Sequence, residues 1–422
     1  MTAKGVPRQK IAIVGAGIAG LAAAYLLHPH HDIDLFEKND YLGGQARTVM
    51  VRERGRDLPV DVGFTVYDPT LHPNLARLLT ELDVPTQPSQ MGFTLSCRTT
   101  GLEYTSANLF SQPINYLRPV YWQLWRDIRR FHQDVVVALD NPRYAQTTLG
   151  QFAQEKGYSG NFKQSYLEPI ASVIGSTRLG TIYDLPLPYI LQSLKHHGQL
   201  PLGHASEWRT ISGGSQVYIR KLTASFIHKT HPGCDIRAIK RFDDSVGLLL
   251  CDGSQRQYDQ VIVATHADQA LKLLSDPTPQ ERRALGRLVY QANRVVLHSD
   301  EAVMPQDRSI WSGWNAVLIA DPAQDRTVMM SYWLNALQNL RSTTNYFVTV
   351  NPLISLDPAK IILKTEYEHH PYAVDALASQ SSLSQLNGVQ RTYYCGGYFG
   401  HGFHEDGLNA GIQVARALGV VW

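Results

Sequence analysis

Two clusters of residues in this 422-residue chain have types and spacings that could do chemistry. The first is Gly15-Ala16-Gly17-Ile18-Ala19-Gly20, a GxGxxG run, with Glu37 placed 22 residues after Gly15. In such a run the first glycine makes the turn, the second lets the backbone approach a pyrophosphate, and the third lets a helix pack on a strand. The helix start then presents unpaired N–H groups to the phosphates. Glu37 would accept hydrogen bonds from ribose hydroxyls, and an acid there favours an unphosphorylated ribose. A dinucleotide is the expected ligand, held by Gly15, Gly17, Ile18, Ala19, Gly20, Glu37 and the adjacent Lys38. A purely structural turn is the alternative for a bare GxGxxG. The second cluster is His401, His404 and Glu405 near the C-terminus. An ordinary histidine titrates near neutrality, so His404 is the first candidate for handling a proton and Glu405 the second. The alternative is that His404 caps or packs its loop. His401 and His404 also look like a metal pair, but no further ligands are evident and no metal is expected.

The elements around the first cluster form a βαβ start. Lys10 to Val14 reads as a buried strand, Gly15 to Gly20 as a turn, Leu21 to Leu27 as a helix and Ile33 to Glu37 as a second strand. Strands this apolar imply a parallel sheet covered on both faces. The uncharged run Ile11 to Leu27, preceded by Lys4, Arg8 and Lys10, superficially resembles an export signal or membrane span. It is shorter than the roughly 20 residues a span needs, and no small-residue cleavage site follows it.

Farther on, Thr70 to Leu82 and Tyr121 to Leu139 have helical spacing, while Met91 to Tyr104 reads as strand and turn. Strand-like segments return at Cys234 to Ile239, Val246 to Cys251, Gln260 to Ala264, Arg294 to His298, Val328 to Trp333 and Tyr346 to Val350. Thr392 to Gly396 and a helix from about Gly407 to Leu418 close the chain. The expected fold class is α/β, α+β overall: a Rossmann-type nucleotide-binding domain from residues 1–66, 208–270 and 385–422, with a mixed substrate domain from 67–207 and 271–384.

Composition agrees with an ordinary globular protein. Apolar residues are 44% and charged residues 18%, which excludes a disordered or fibrous chain. The net charge of +2 gives no global reason to expect a nucleic-acid partner. Cys97, Cys234, Cys251 and Cys395 are widely separated, without the spacing of a zinc site or disulfide framework. A cytoplasmic location is expected, with peripheral contact at the inner membrane face.

Further motifs carry a resemblance. Tyr41-Leu42-Gly43-Gly44-Gln45-Ala46-Arg47-Thr48 resembles the glycine doublet of the flavin amine oxidase and phytoene desaturase superfamily, with Tyr41 and Gln45 where that pattern has arginines and Arg47 as the remaining candidate. Val60-Asp61-Val62-Gly63-Phe64-Thr65 is similar to the segment those flavoproteins place against the isoalloxazine ring. Ile236 matches the residue beside the adenine, and Ala264-Thr265 the turn after the returning strand. Gly396-Gly397-Tyr398 resembles the closing motif, with Tyr398 in the position of its usual acid, and Asp406-Gly407-Leu408 opens a helix aimed at the flavin pyrimidine. The resemblance implies FAD, with Gly43, Gly44, Gln45, Arg47, Gly63, Phe64, Thr65, Ile236, Ala264, Thr265, Gly397, Tyr398, Asp406, Gly407 and Leu408 around it.

The whole chain resembles one branch of that superfamily, the bacterial NAD/FAD-binding proteins found with cyclopropane-fatty-acid-synthase-like methyltransferases. Leu42-Gly43-Gly44, Thr86-Gln87-Pro88-Ser89, Ala264-Thr265-His266-Ala267-Asp268, Asn351-Pro352 and Phe403-His404-Glu405-Asp406-Gly407 carry it. That branch implies a desaturase of the furan fatty acid pathway: hydride would pass from a methyl-branched unsaturated acyl chain, free or in a phospholipid, to flavin N5. A functional link to a fatty-acid methyltransferase is implied with it. An amine oxidase is the second reading, although Tyr290 to Val296 offers Asn293 or Arg294 where many members keep a lysine. A non-catalytic flavin-binding subunit of a lipid-modifying complex is the third. Finally, Leu109 to Phe131 mixes Phe110, Tyr116, Tyr121, Trp122, Trp125 and Phe131 with Arg118, Arg126, Arg129 and Arg130. Such a stripe is either a membrane-docking surface or core on one face with solvated charge on the other.

Overall fold

Strand β1 (Lys10–Val14) lies in the middle of a five-stranded parallel sheet, which explains why Ile11, Ala12 and Ile13 are fully buried. Its neighbours are β2 (Asp32–Glu37) on one side and Gln260–Val263 on the other, with Val14 facing both Phe36 and Val263 in register. Thr392–Tyr394 and Thr230–Pro232 complete the two edges, so four distant chain segments meet in one sheet. The structure, a computed structural model, describes residues 7–106, 109–110, 113–139, 141–175, 179–198, 207–319, 327–369, 380 and 382–422.

Helix α1 (Ile18–Leu27) begins three residues earlier than the glycine pattern suggested, immediately after its N-cap Gly17. It is buried along nearly its whole length because it lies between the sheet and the C-terminal helix His404–Ala417. Gly411 makes that packing close: a Cβ there would come within 2.4 Å of the Ala19 carbonyl oxygen. The C-terminal helix likewise starts earlier than expected, at His404.

A hairpin, β3 (Thr48–Glu53) and β4 (Arg56–Asp61), follows the glycine doublet. Helix α2 (Pro73–Glu81) packs Leu75, Leu78 and Leu79 into the same core as α1. The other large layer is a mixed seven-stranded sheet. Its order is Ile361–His369, Gln291–His298, Phe347–Val350, Thr327–Trp333, Trp314–Ile319, Phe93–Cys97, Leu102–Thr105, and only the Trp314–Ile319/Phe93–Cys97 pair is parallel. Helix α3 (Pro119–Leu139) and the helix Leu187–His196 share a core with one end of this sheet.

Asp61 ties the layers together. Its carboxylate accepts hydrogen bonds from Thr48 Oγ1 (2.6 Å), Ser215 N (2.9 Å), Ser215 Oγ (2.9 Å) and Gln338 Nε2 (2.8 Å). Burial pushes this carboxyl up to about 6, against the donors from Thr48 and Ser215 that favour the charged form. The folded pKa lies above the ordinary carboxylate value, so the stabilisation is complete at acid pH and is lost as pH rises through about 6. Asp61→Asn is expected to abolish a slope of up to about 1.4 kcal/mol per pH unit between pH 4 and 6. Urea unfolding at several pH values checks this, and an unchanged slope would assign it to another group.

Candidate active site

The layers border a cavity of about 1570 Å³. Ordinary ligand pockets hold roughly 300–1,000 Å³, so this space has room for a dinucleotide and a second molecule. Gly15 makes the turn at its floor with φ +103°, and a Cβ there would meet the Ala264 carbonyl oxygen at 2.7 Å. Gly17 differs from its neighbours: a Cβ would touch nothing within 4 Å, because that side of the residue opens on the cavity. The unpaired N–H groups at the start of α1 are thus accessible to a phosphate.

Gly43 N donates to Ala16 O (2.8 Å), which lays the glycine doublet against the first loop. A Cβ on Gly44 would come within 3.1 Å of Gly17 Cα. The two glycine motifs, far apart in the sequence pattern, therefore form one backbone cradle that side chains would fill. Beyond it, Glu37 Oε2 accepts from Ala16 N (2.8 Å), and Oε1 accepts from Asn39 N (2.9 Å) and Asn39 Nδ2 (2.7 Å). Two carboxylate oxygens have about four acceptor sites, so Glu37 keeps capacity for a ribose hydroxyl. Lys38, Ile236, Ala264 and Thr265 line the same cavity. Gln45, Gly63, Phe64, Thr65, Gly397, Tyr398 and Gly407 also line the cavity. Gly63 is held there because a Cβ would collide with Gln45 O at 2.2 Å. An adenine–ribose end, a pyrophosphate floor and a Gly63–Phe64 wall suit FAD. Arg47 lines the cavity with its guanidinium over the Tyr41 ring at 4.5 Å, so the departure at Tyr41 supplies a platform for this arginine.

Several expected site residues lie elsewhere. Gly20 is a packing residue: its Cβ would strike Gly15 O at 2.0 Å. Leu408 is buried in the core between the C-terminal helix and α1. Asp406 turns back to its own loop, where Oδ2 accepts from His401 N and Phe403 N, both at 2.9 Å. Burial raises its pKa against those donors. Glu405 is also displaced from the chemistry. Its carboxylate accepts from Asn74 N (2.8 Å) and Leu75 N (3.0 Å), capping the N-terminus of α2 from across the core.

His404 does line the cavity. Its ring stacks on Phe64 at 4.0 Å and 14°, and its Nε2 shares a hydrogen bond of 2.7 Å with the Tyr218 hydroxyl. Burial, with His72 nearby, pushes its pKa down to about 3. The near-neutral titration expected for an exposed imidazole is therefore corrected: His404 is a neutral, positioned ring.

The part of the cavity lined by His196, His197, Trp314, Val328, Met330 and Tyr332, termed the second chamber, was not foreseen. His196 and His197, at the end of the helix Leu187–His196, face Phe403 with ring centroids 4.5 and 5.3 Å away. Burial holds both near pKa 4, reinforced at His196 by His72, His401, His197 and Lys195, whereas at His197 the Ser193 backbone hydrogen bond opposes it and His72 adds to it; both are neutral. Trp314 lies 4.8 Å from His197 and 5.3 Å from Tyr332, and Val328 and Met330 continue the wall. The doublet His196-His197 was the only sequence sign of this chamber, and nothing in its spacing pointed inward. Asn293 is buried on the cavity wall, its amide joined to His369 Nδ1 (3.1 Å) and Asn351 Nδ2 (2.7 Å).

The family model described as flavin containing amine oxidoreductase matches residues 18–336. A flavin-containing amine oxidase A of Canis lupus familiaris is 33% identical over 129 residues, 30% of this chain and 23% of that protein. The curated relatives are thus matched over less than a quarter of their length. Among solved structures, a cyclohexylamine oxidase from Brevibacterium oxydans is similar with TM-score 0.71 and 16% identity, covering 98% of this chain and 99% of that one. A CLA-producing fatty acid isomerase from P. acnes is similar with TM-score 0.68 and 16% identity, covering 97% of this chain and 98% of that one. At that identity the likeness concerns the fold.

Proposed function

The chain belongs to the flavin-containing amine oxidoreductase family, and from that premise we propose that it is an FAD-dependent oxidoreductase that desaturates a methyl-branched unsaturated fatty acyl chain. One observation carries the substrate class. The chamber walled by His196, His197, Trp314, Val328, Met330 and Tyr332 contains aromatic, aliphatic and neutral imidazole groups. Among the described residues no carboxylate stands in that wall. Of the five acids that line the cavity, Glu37, Asp40 and Asp235 belong to segments around the nucleotide end, and Glu366 and Glu368 belong to the strand Ile361–His369, three and four strands away across the sheet, or roughly 14–19 Å at about 4.8 Å per strand. Glu368 is further engaged by His266 Nδ1 and Gln269 Nε2. An ammonium brought into this chamber would lose water without gaining a counter-charge, whereas an acyl chain loses nothing on burial there. A solved protein of the same fold acts on a fatty acid, which supports the reading.

When bound, FAD supplies the two-electron acceptor. The protein supplies position and exclusion of water. The glycine cradle and the start of α1 hold the phosphates, and Phe64, clamped by His404, forms a rigid wall. The cavity-facing N-terminal turn of the C-terminal helix, at Gly407, favours negative charge. His404, with its pKa near 3, orients this wall and is a poor base at neutral pH. The methyl branch implies that a fatty-acid methyltransferase acts before this protein.

A second reading, oxidation of an amine, is favoured by the aromatic pair Trp314 and Tyr332, since ring faces attract cations. Anaerobic mixing of the holoprotein with methyl-branched unsaturated phospholipids or with amines separates the readings. Bleaching of the flavin absorbance by the lipid alone is expected. Bleaching by amines alone would establish the second reading, and bleaching by neither would favour a non-catalytic flavin-binding subunit. In the lipid reaction, the pH profile is expected to show no His404 ionisation between pH 5 and 8. If His404→Gln removed an inflection in that range, the positional role would be wrong.

A further inference from the structure

Helix α3 spans Pro119–Leu139, about 30 Å at 1.5 Å per residue. Tyr121, Leu124, Phe131, Val135 and Ala138 form the face it buries. A surface helix ordinarily carries polar residues opposite such a stripe. Here the opposite face reads Trp122, Trp125, Arg126, Arg129, Gln133, Val136 and Val137, a succession at three- and four-residue steps that is apolar at both ends and cationic in the middle. Val137 is 70% exposed and Trp122 46% exposed. Just before the helix, Leu117 is 79% exposed and Tyr116 55% exposed, beside exposed Arg118.

The aromatic end is preformed. Phe110 stacks on Tyr116 and lies against Trp122, each with centroids 4.7 Å apart, and Trp122 Nε1 donates to Tyr116 O at 3.0 Å. Arg129 sits over the Trp125 ring at 4.8 Å. The charge is of one sign: Asp127 is the sole acid from 109 to 133, and it is buried. Asp134, at the margin, is paired with Lys156 and Arg130.

We propose that this face docks on an anionic phospholipid bilayer, with α3 lying along the interface. The arginines complement lipid phosphates, tryptophan and tyrosine suit the headgroup level, and the exposed leucine and valines have a place among acyl chains that a nucleic acid does not offer. Among the described residues no helix is long and apolar enough to cross a membrane, so the attachment is peripheral. The inner face of α3 shares its core with the helix that carries His196 and His197, which places the bilayer on the same layer as the second chamber. The proposal stands on the surface of α3 and does not depend on which substrate the chamber takes.

Co-sedimentation of the holoprotein with phosphatidylglycerol-containing and pure phosphatidylcholine vesicles tests it. Binding to the anionic vesicles that weakens with salt is expected. Arg126→Gln with Arg129→Gln is expected to weaken it about thirtyfold, from about 1 kcal/mol per arginine near the surface. Trp122→Ser with Trp125→Ser is expected to weaken it at low and high salt alike. None of these four side chains lines the cavity, so flavin absorbance should be unchanged in both variants, and the exposed arginines should leave the melting temperature unchanged as well. Equal binding to both vesicle types, or anionic binding unaffected by either double substitution, would overturn the proposal. So would a dimer in solution that the tryptophan substitutions dissociate, or RNA binding without vesicle binding, since each names a different occupant of this face.

Discussion

Gly17→Val is expected to give a folded protein that no longer retains flavin, while Gly20→Val gives one that does not fold. The two residues belong to the same motif and differ by three positions, but the space around them is opposite. A Cβ at Gly17 meets nothing within 4 Å and enters the cavity, so the substitution costs the fold little and occupies the place of the phosphates. Each charge-assisted hydrogen bond lost there is worth about 1.5–3 kcal/mol, or at least roughly tenfold in flavin affinity. A Cβ at Gly20 lands 2.0 Å from Gly15 O and 3.1 Å from the Ala264 side chain, contacts that separate α1 from the sheet. The measurements are flavin retained after desalting and the unfolding midpoint in urea. A Gly17→Val protein that keeps stoichiometric flavin would show that the cradle is not the phosphate site.

Arg241→Ala is expected to be the most damaging single truncation away from the cavity. Arg241 and Glu281 form a two-point pair, 2.5 and 3.1 Å, with both side chains 2% exposed. The same arginine reaches Asp276 Oδ1 at 3.0 Å and Asp276 O at 2.6 Å, and Tyr394 donates to Glu281 at 2.6 Å. The group thereby locks the strand Ile236–Arg241 and the helix Pro279–Leu285 to the edge of the parallel sheet. Removing one member leaves a buried charge without its partner, at a cost of about 3–5 kcal/mol. That is a large part of the 5–15 kcal/mol by which domains are typically stable. Burial opposes ionisation of Glu281, but Arg241, Tyr394 and the Thr278 N–H outweigh it and hold its pKa below the usual value. The stabilisation is therefore present above pH 4.5 and is lost as pH falls through the depressed pKa. Urea unfolding of Arg241→Ala at pH 7 and at acid pH checks both points: the deficit relative to the parent protein should shrink on acidification.

The nucleotide end of the site was legible because its determinants are local. Gly15 and Gly17 act within one turn, and Glu37 follows one strand later, so spacing along the chain is also spacing in space. Phe64 and Gly63 were legible through a motif, and their partner Gln45 belongs to the neighbouring motif. Glu405 and Asp406 show where this reasoning stops. Both are acids beside a candidate histidine, and on a helix adjacent residues point about 100° apart, so neighbours in sequence face different surroundings. One caps α2 and the other caps its own loop, a division made only by where α2 and residues 401–403 lie.

The pKa of His404 was invisible for a related reason. Histidine type predicts titration near neutrality, but the shift to about 3 comes from burial among Phe64, Tyr218 and His72, three segments remote from it in sequence. Residue type and spacing alone determined that Lys10 to Glu37 forms a parallel βαβ unit, that its glycine loop opens on the cavity and that Ile11–Leu27 is buried within protein. Tertiary structure alone decided which residues face the second chamber, which histidines are neutral there, and which acids are spent on helix ends. The physical reason is range: turn geometry and strand periodicity act over a few residues, whereas burial and the choice of hydrogen-bond partner depend on segments brought together from opposite ends of the chain.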